Sequence, residues 1–391
     1  MQILLLTKVY FPDNGGGISQ AVMSLADCFR GQNEEVLTCS PGQKEPVTED
    51  SYDGVKVVRC RQFMDVFSTP LSFVLLRQWK KRTDENSISV YNFPYPLGDL
   101  GILFHCYRGK LVVWWHCDFV SYKKLAPLYR PLVKHTLKKA DAILVSSDGT
   151  IDGSDLLSQF RQKCVKVPYV VPEEYLKLGQ EYMGNPVPHK EDAIHLLFMG
   201  RLVWYKGVEE LLRVMKKLED EMPGRYDLTF VGGGFKEEEY KAYAQELGLN
   251  VMTGPTVDDD SDRAGFVRFC GYVSEEEKIA AIKASDFLVM PSTSEAESFG
   301  IVQIEAMAFG KPVINTKLKS GVPDVSINGE TGITIPPGDE DALYKAIKTL
   351  GKDSTLRTQY GRNAYERVRR HYAKDVMEKI AREAFEELMR K

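Results

Sequence analysis

The alternation of short apolar segments with longer amphipathic segments is the feature that most constrains how this chain can fold. Apolar runs such as QILLLT at 2–7 and LVVWWH at 111–116 are separated by stretches with helical periodicity. This order is typical of parallel sheets whose strands are joined by right-handed helical crossovers. The same rhythm restarts with HLLFMG at 195–200. The pattern therefore predicts an α/β fold that is built twice.

The length of the chain favours two domains, because 391 residues exceed what one ordinary hydrophobic core accommodates. A segment rich in proline and polar residues separates the two runs of strands and helices, and such residues interrupt regular structure. We therefore predict a first domain at 1–170, a linker at 171–192, a second domain at 193–370 and a C-terminal helix at 371–391.

Positive charge is concentrated in the first predicted domain, although the whole chain has a net charge of −4. Residues 1–170 contain 21 Lys and Arg against 17 Asp and Glu, and the stretch 119–140 contains six bases and no acid. This stretch, with its interleaved aromatic residues, is either an ordinary solvated helix face or a patch that attracts an anionic membrane surface. No nucleic-acid-binding module is recognisable around it, so we expect no nucleic-acid partner. The bases of this predicted membrane patch are Lys123, Lys124, Arg130, Lys134, Lys138 and Lys139.

Several features of the sequence favour a cytoplasmic protein. The seven cysteines are scattered and contain no CxxC pair, which favours reduced thiols and disfavours a metal site. The start, MQILLLT, lacks the basic region of a signal peptide, and no apolar run approaches the roughly 18 residues that span a bilayer. We therefore expect a cytoplasmic location, with peripheral attachment to the inner face of the cell membrane if the basic patch binds lipid.

A glycine-rich loop, FPDNGGGISQ at 11–20, connects the first predicted strand to the first helix. Glycines such as Gly16 and Gly17 let the backbone approach a ligand closely, and amides at a helix start favour an anion. The dinucleotide-binding fingerprint GxGxxG requires glycine where this chain has Gln20, which disfavours a nicotinamide enzyme. The alternative is a merely flexible turn.

The second half of the chain contains charged residues at positions suited to a sugar nucleotide. Arg201 and Lys206 lie in a loop after the strand HLLFMG, where open α/β sheets bind ligands. In ESFGIVQIEAM, Glu297 precedes a predicted helix start and Glu305 lies inside the helix. Two carboxylates beside an anion-binding helix start can accept hydrogen bonds from polyols on either side of a diphosphate. The alternative is that both glutamates are ordinary surface acids.

The chain contains five recognisable segments in order: GGG at 15–17, GRLVWYKG at 200–207, VGGG at 231–234, FCGYVSEEE at 269–277 and PSTSEAESFGIVQIEAMAFGKPVI at 291–314. Together they resemble a family 4 retaining glycosyltransferase of the GT-B fold, among the glycosyl transferases group 1, in which they are expected in this order. The resemblance implies two Rossmann-like α/β domains with parallel sheets that face a central cleft. The first domain is then expected to bind the acceptor and the second the nucleotide sugar, with the C-terminal helix crossing back to the first domain.

The resemblance also implies roles for individual residues. Arg201 and Lys206 are expected to hold the leaving diphosphate, Glu305 to accept from ribose hydroxyls and Glu297 from sugar hydroxyls. His116, at the end of LVVWWH, is expected near the transferred sugar, and its alternative is a packed core histidine. The predicted catalytic residues are His116, Arg201, Lys206 and Glu297. The other predicted nucleotide-sugar contacts are Gly16, Gly17, Gly200, Gly233, Tyr272, Val273, Ser298, Phe299, Gly300, Ile301, Val302 and Glu305.

The predicted activity is retaining transfer of a hexose-type sugar from a UDP- or GDP-linked donor to an acceptor hydroxyl. We expect a glycan or lipid-linked acceptor, in the synthesis of a surface polysaccharide or glycoconjugate. We expect no cofactor and no metal, because fixed cations and helix amides stabilise the departing diphosphate, and we interpret DDDSD at 258–262 as an exposed acidic loop. The alternatives are a nucleotide-sugar epimerase of the same fold and an inactive glycosyltransferase-like partner subunit.

Overall fold

The chain folds into two compact α/β units, which confirms the predicted fold class. The computed structural model describes residues 1–13, 16–66, 69–118, 126–184, 193–255 and 265–390. Unit 1 comprises Met1–Val170 and the C-terminal segment Lys374–Lys391, and unit 2 comprises Val171–Ala373.

The strands follow the predicted apolar runs closely. In chain order they are β1 (Gln2–Leu6), β2 (Glu34–Ser40), β3 (Val47–Tyr52), β4 (Val55–Arg61), β5 (Met64–Asp65), β6 (Pro70–Leu71), β7 (Ser87–Phe93), β8 (Lys110–Trp115), β9 (Ala142–Val145), β10 (Cys164–Lys166), β11 (Ile194–Met199), β12 (Tyr226–Val231), β13 (Asn250–Thr253), β14 (Phe266–Phe269), β15 (Phe287–Val289), β16 (Val313–Thr316) and β17 (Gly332–Ile335).

The helices alternate with these strands, and short 3-10 helices occupy Leu157–Lys163 and Trp204–Lys206. The α-helices are α1 (Gly17–Asp27), α2 (Phe73–Arg82), α3 (Pro96–Leu103), α4 (Ala126–Lys139), α5 (Asp148–Asp152), α6 (Glu173–Gly184), α7 (Val208–Glu221), α8 (Glu237–Glu246), α9 (Glu275–Ala284), α10 (Ile301–Met307), α11 (Val322–Val325), α12 (Glu340–Lys352), α13 (Ser354–His371) and α14 (Lys374–Arg390).

The sheet of unit 1 has the strand order β10-β9-β8-β7-β1-β2-β4-β3. All neighbouring strands are parallel except β3, which runs antiparallel to β4 at one edge. Side chains of alternate strand residues point to opposite faces. Leu4 and Leu6 of β1 share a core with residues of α2, α3 and α4. Helix α1 contacts β2 and β4 and packs against α14, where Phe29, just beyond α1, stacks on Phe385 at 4.9 Å.

The sheet of unit 2 is entirely parallel, with the order β13-β14-β12-β11-β15-β16-β17. Phe198, Phe230 and Phe269 pack on one another in its core, with ring centroids 4.7–5.0 Å apart. The strand order reverses at β11, whose neighbours are β12 and β15. Open α/β sheets bind ligands beside the carboxyl ends of their strands at such a point. The loops after β11 and β15 are therefore the natural place for a site in unit 2.

The predicted linker at 171–192 is wrong for its first part. Residues 173–184 form helix α6, which belongs to unit 2. A Cβ atom on Gly179 of this helix would come within 1.8 Å of the backbone oxygen of Ala308, so the helix packs directly on the backbone that follows α10. The proline and polar residues of this segment did not predict the packing, because the side of α6 that packs is formed by Gly179 and the buried Tyr175. The remainder of the predicted linker, 185–192, lies outside the described residues.

The C-terminal helix begins later than predicted. Helix α13 continues to His371 within unit 2, and α14 starts at Lys374. Helix α14 belongs to unit 1, where Lys374 pairs with Asp27 at the end of α1. In the described part of the chain, no helix has both the length and the apolar character to cross a membrane.

Candidate active site

Lys206 and Glu297 form a buried ion pair at the carboxyl edge of the unit 2 sheet. The Lys206 Nζ lies 2.5 Å from the Glu297 Oε2, and both side chains are about nine-tenths buried. Ser292 donates a hydrogen bond to the same carboxylate oxygen at 3.1 Å. Hydrogen bonding and the opposite charge compensate the cost of burying the carboxylate. The pair joins the loop after β11 to the loop after β15.

Two glycines allow these loops to approach one another. Gly200 has a φ of +138°, and a Cβ atom there would lie 3.2 Å from the Lys206 Nζ. Gly207 has a φ of +69°, and a Cβ atom there would lie 2.1 Å from the backbone oxygen of Pro291. The Thr293 amide donates to the backbone oxygen of Tyr205 at 2.8 Å. A side chain at Gly207 would push the two loops apart, and a side chain at Gly200 would crowd the Lys206 ammonium. Arg201 is exposed in the same loop.

Helix α10 starts at Ile301, four residues after Glu297, and is anchored by buried polar contacts. Gly300 caps it with a φ of +73°, which disfavours a side chain there. The Gln303 side chain donates to the backbone oxygen of Phe299 at 2.7 Å and accepts from the Asn315 amide at 2.9 Å. These contacts hold the first turn in place. Of the predicted residues, Ser298, Phe299, Gly300, Ile301 and Val302 therefore lie together at the start of α10.

Glu305 is paired with a lysine that the sequence did not indicate. The Lys278 Nζ on α9 lies 3.0 Å from the Glu305 Oε1 and 3.0 Å from the Glu275 Oε1. Tyr175 of α6 donates to Glu275, and the Lys278 Nζ lies 5.3 Å from its ring centroid. Burial lowers the pKa of Lys278, but the charges of Glu305 and Glu275 outweigh burial and raise it. Lys278 thus stays charged beside Glu305.

The segment predicted to face the base lies at the carboxyl ends of β12 and β14. Gly232 and Gly271 form an isolated bridge, with a 2.8 Å hydrogen bond from the Gly232 amide. The Tyr272 side chain is 79% exposed, and a Cβ atom on Gly233 would lie 2.9 Å from its ring. Tyr272 therefore presents an exposed ring beside a backbone that carries no side chain, and Val273 follows it, half-buried.

His116 of unit 1 follows β8 and is buried with both ring nitrogens bonded. Its Nε2 lies 2.8 Å from the Asn92 Oδ1 and its Nδ1 lies 2.6 Å from the Tyr169 hydroxyl. The Asn92 amide donates to the backbone oxygen of Leu6, which orients its carbonyl oxygen toward His116. The Nε2 must then carry the proton, and the Nδ1 accepts from Tyr169. Burial lowers the pKa of His116 to about 3, so the ring is neutral.

The other predicted residues of unit 1 lie in the glycine loop and on α4. Gly16 caps α1 in an extended conformation, Gly17 is its first residue, and both are exposed. Lys123 and Lys124 lie outside the described residues, as does the acidic loop at 258–262. Elsewhere, no group of three or more His, Cys, Asp or Glu residues in the described ranges is arranged to hold a metal ion. Four members of the predicted membrane patch, Arg130, Lys134, Lys138 and Lys139, are exposed on α4.

Most of the residues predicted to contact the nucleotide sugar thus lie at one edge of the unit 2 sheet, in the loops after β11, β12, β14 and β15. Gly16, Gly17 and His116 lie instead at the carboxyl ends of β1 and β8 in unit 1. Lys278, Ser292 and Tyr175 were missed, since nothing in their local sequence sets them apart from ordinary helix and loop residues.

Comparisons of this chain with a family model, with related sequences and with solved structures all indicate the same class of protein. The family model of glycosyl transferases group 1 matches residues 184–367. The O-antigen chain mannosyltransferase C of Escherichia coli is 28% identical over 383 residues, covering 96% of each chain. The D-rhamnosyltransferase WbpZ of Pseudomonas aeruginosa is 30% identical over 380 residues, covering 94% of this chain and 91% of the relative. The sucrose-phosphate synthase from Thermosynechococcus elongatus matches with a TM-score of 0.74 at 21% identity, covering 99% of each chain.

The chain therefore belongs to the group 1 glycosyl transferases, and it has the GT-B fold that two parallel-sheet α/β units and the matching structure indicate. Its enzyme class, glycosyltransferase, is as predicted.

Proposed function

We propose that this glycosyltransferase moves a hexose-type sugar, with retention of configuration, from a UDP- or GDP-linked donor to a hydroxyl of a glycan or lipid-linked acceptor. The observation that carries the proposal is the buried Lys206–Glu297 pair at the carboxyl edge of the unit 2 sheet. In the reaction, the bond between the anomeric carbon and a diphosphate oxygen breaks, a bond to the acceptor oxygen forms, and the acceptor hydroxyl gives up its proton, which the departing diphosphate can accept. Negative charge develops on the departing diphosphate.

Lys206 is suited to stabilise that charge. An ammonium group has three donors, and Glu297 occupies one of them. The glutamate also holds the ammonium in one position before the donor binds. A cation that is already oriented needs little reorganisation when charge develops on the leaving group. Arg201, exposed in the same loop, offers a planar fork of donors to phosphate oxygens.

Glu297 and Glu305 bind different parts of the nucleotide-sugar donor in this proposal. Glu297 lies before the start of α10 and accepts from hydroxyls of the sugar, and Glu305 accepts from hydroxyls of the ribose. Lys278 binds one oxygen of Glu305, the Oε1. The carboxylate therefore retains lone pairs for a ligand even while it is paired. Tyr272 and Val273 face the base, and the exposed Tyr272 ring supplies a surface on which a base can stack.

Metal independence belongs to the same proposal. Lys206, Arg201 and the first amides of α10 supply positive charge at the place where divalent ions neutralise diphosphates in other enzymes. The role of the first unit is acceptor binding. The name of the O-antigen chain mannosyltransferase supports an acceptor in surface-polysaccharide synthesis. The proposal also places the enzyme in the cytoplasm, peripheral to the inner face of the cell membrane.

A donor screen tests the proposed function. The purified protein is heated with a series of UDP- and GDP-sugars, because a ligand at about 100 times its dissociation constant adds roughly 2.7 kcal/mol of stability. The stabilising donor is then incubated with the protein, and the products are separated. Released nucleoside diphosphate with a retained anomeric configuration in the transferred or free sugar supports the proposal.

Other products would contradict it. A new sugar nucleotide without release of nucleoside diphosphate would identify an epimerase. Stabilisation by no donor and no release of nucleoside diphosphate would identify an inactive partner subunit. Lys217→Gln on the outer face of α7 is the matched control for site variants, since Lys217 pairs with Asp341 at the surface.

A further inference from the structure

Helices α2, α3 and α4 form a continuous layer on one face of the unit 1 sheet. Buried residues of all three helices belong to the same core cluster. A Cβ atom on Gly101 of α3 would lie 2.8 Å from both Leu76 and Trp79 of α2, so these two helices are in direct contact. On the other side of α3, Asp99 accepts a hydrogen bond from Thr136 of α4 at 2.6 Å. The three helices therefore present their outer sides to the same side of the unit.

The charge of this layer is almost entirely positive. The three helices contain eight Lys and Arg residues and a single acid, Asp99. That acid does not reach the surface, because it is 0% exposed and accepts hydrogen bonds from Tyr91, Tyr129 and Thr136. Arg82 is ion-paired with Glu35 and Glu49 and so adds little free charge to the layer. The other seven bases are exposed: Arg77, Lys80, Lys81, Arg130, Lys134, Lys138 and Lys139.

The helices that pack together elsewhere in unit 1 have a different charge. Helices α1 and α14 contain four Lys and Arg residues against six Asp and Glu residues. Several of these charges are paired within or between the two helices, for example Arg382 with Glu378 at 2.8 Å. The positive layer is therefore a property of one side of the unit and not of the whole surface.

Large apolar side chains are exposed on the same layer and on the hairpin beside it. Of the twelve large apolar side chains that are exposed in the described part of the chain, eight lie there. Phe73 at the start of α2 is 72% exposed and stacks on Phe63 of the hairpin at 5.1 Å, and Phe104 after α3 is 68% exposed. The hairpin adds one acid, Asp65. The other members of the set are Met64, Val66, Leu100, Leu103 and Leu128.

The spacing of these residues shows that they point outward together. Leu100, Leu103 and Phe104 recur at intervals of three and four, which is one side of a helix. Phe73, Arg77, Lys80 and Lys81 follow the same rule on α2, so that apolar and basic side chains share its outer side. Lysine and aromatic side chains that project from one surface are the composition of a face that lies in a bilayer interface.

We infer that the outer side of the α2–α4 layer, with the β5–β6 hairpin, docks on an anionic lipid bilayer. The bases bind the headgroups, and Phe63, Phe73 and Phe104 enter the boundary between headgroups and acyl chains. The basic surface thus extends beyond the stretch seen in the sequence to a second helix, α2, and exposed apolar side chains of α3 and the hairpin are added to the aromatic residues of that stretch. The inference rests on the proposed function only in so far as the acceptor is lipid-linked. A protein partner fits less well, since the bases would need a matching acidic surface in addition to an apolar one.

Vesicle sedimentation tests this inference without any turnover. The full chain is spun with vesicles of phosphatidylcholine alone and with vesicles that also contain phosphatidylglycerol. Binding is expected only to the anionic vesicles and is expected to decrease as salt is added, because salt screens charges at a surface. Binding of nucleoside diphosphate is measured on the same sample, so failure of the membrane inference and failure of the donor site are distinguishable.

Two variants separate the charged and apolar contributions. The triple variant Lys80→Glu, Lys81→Glu and Lys138→Glu is expected to bind anionic vesicles at least about a hundredfold more weakly, because each base near such a surface contributes roughly 1 kcal/mol. The double variant Phe73→Ser and Phe104→Ser is expected to bind at least about tenfold more weakly, since it removes two apolar side chains that would leave water. All five side chains are exposed, so folding is expected to persist.

The matched control makes the same change of charge elsewhere in unit 1, as Lys44→Glu, Lys379→Glu and Arg390→Glu. It is expected to bind anionic vesicles as the wild type does. Equal weakening by the control and by the layer variant would overturn the assignment of the surface. Full binding by the Phe73→Ser and Phe104→Ser variant would overturn insertion of the aromatic side chains. Binding to RNA combined with no binding to anionic vesicles would replace the membrane by a nucleic acid and overturn the inference.

Discussion

Lys206 donates a 2.5 Å hydrogen bond to Glu297, although 91 residues separate them in the chain. Each residue follows a different strand of the unit 2 sheet. The contact means that the cation proposed for the leaving group and the carboxylate proposed for the sugar are one electrostatic unit, so a change in either residue alters the other. Substitutions must therefore be chosen to preserve a partner for the residue that remains.

Lys206→Gln is expected to lower kcat by a factor on the order of 10²–10³, the typical cost of losing one group that stabilises developing charge. Glutamine is neutral but retains an amide donor for Glu297, whereas alanine would remove both the cation and the donor, and breaking a buried pair in that way costs about 3–5 kcal/mol. Turnover is measured on protein whose thermal unfolding matches the wild type. Near-normal turnover in the folded variant, or an equal loss in Lys217→Gln, would remove Lys206 from the reaction.

Glu305→Gln is expected to weaken the binding of nucleoside diphosphate alone more than Glu297→Gln does, because Glu297 acts on the diphosphate only through its pairing with Lys206. The reason is that only Glu305 is assigned to the ribose, and nucleoside diphosphate lacks the sugar that Glu297 meets. Titration calorimetry with the nucleoside diphosphate of the active donor measures both affinities. If both variants lose the same affinity for nucleoside diphosphate, the assignment of Glu305 to the ribose and Glu297 to the sugar is wrong.

Lys278→Met is expected to weaken nucleoside diphosphate binding by roughly the same factor as Glu305→Gln, because the lysine holds the carboxylate from 3.0 Å. Residues that act through one contact show coupling in a double-mutant cycle, typically about 0.5–3 kcal/mol. Calorimetry on both single variants and the double variant measures this coupling. Glu276→Gln, an exposed change on the same helix, is the control. Strictly additive losses would show that Lys278 does not position Glu305.

His116 is expected to make the protein less stable as the pH falls below about 6.5. Burial lowers the pKa of His116 from 6.5 to about 3, so the unfolded chain binds a proton in this window that the folded chain does not. The stabilisation is present above the unfolded pKa and is lost as the pH falls toward the folded one. Burial raises the pKa of Asp99 to about 6, which acts in the opposite sense between about 6 and 3.8.

The difference between wild type and His116→Gln isolates the histidine, because Asp99 is common to both. Thermal unfolding is followed from neutral to mildly acidic pH, and the slope of stability against pH is expected to be smaller in the variant. Identical slopes would mean that His116 binds protons equally in the folded and unfolded states, contrary to a buried, neutral ring with both nitrogens hydrogen-bonded.

Activity is expected to persist after treatment with a chelator, because Lys206, Arg201 and the first turn of α10 supply the charge that neutralises the diphosphate. Donor turnover is measured before and after chelation, and again after adding magnesium or manganese. Loss of turnover on chelation with rescue by either ion would overturn metal independence and direct attention to the acidic loop at 258–262.

The sequence by itself determined the class of fold and the identity of the loops to which the donor site is assigned in our proposal. Strand and helix periodicity are local properties, so alternating runs such as 2–7 and 195–200 were sufficient to predict α/β units. Glycines and charged residues after apolar strands marked the loops at 200–207 and 291–300, since parallel strands place such loops at one edge of the sheet.

Only the tertiary structure decided which side chains touch across these loops. The pairing of Glu305 with Lys278 and the packing of α6 on the backbone after α10 depend on contacts between segments far apart in the chain. The surface on the outer side of α2–α4 also depends on how distant segments pack. The sequence showed a basic stretch on one helix, and the structure places it beside basic and apolar side chains of the other two. Local sequence patterns report propensity and one-sided burial, whereas the partner of a buried charge is set by how whole elements pack.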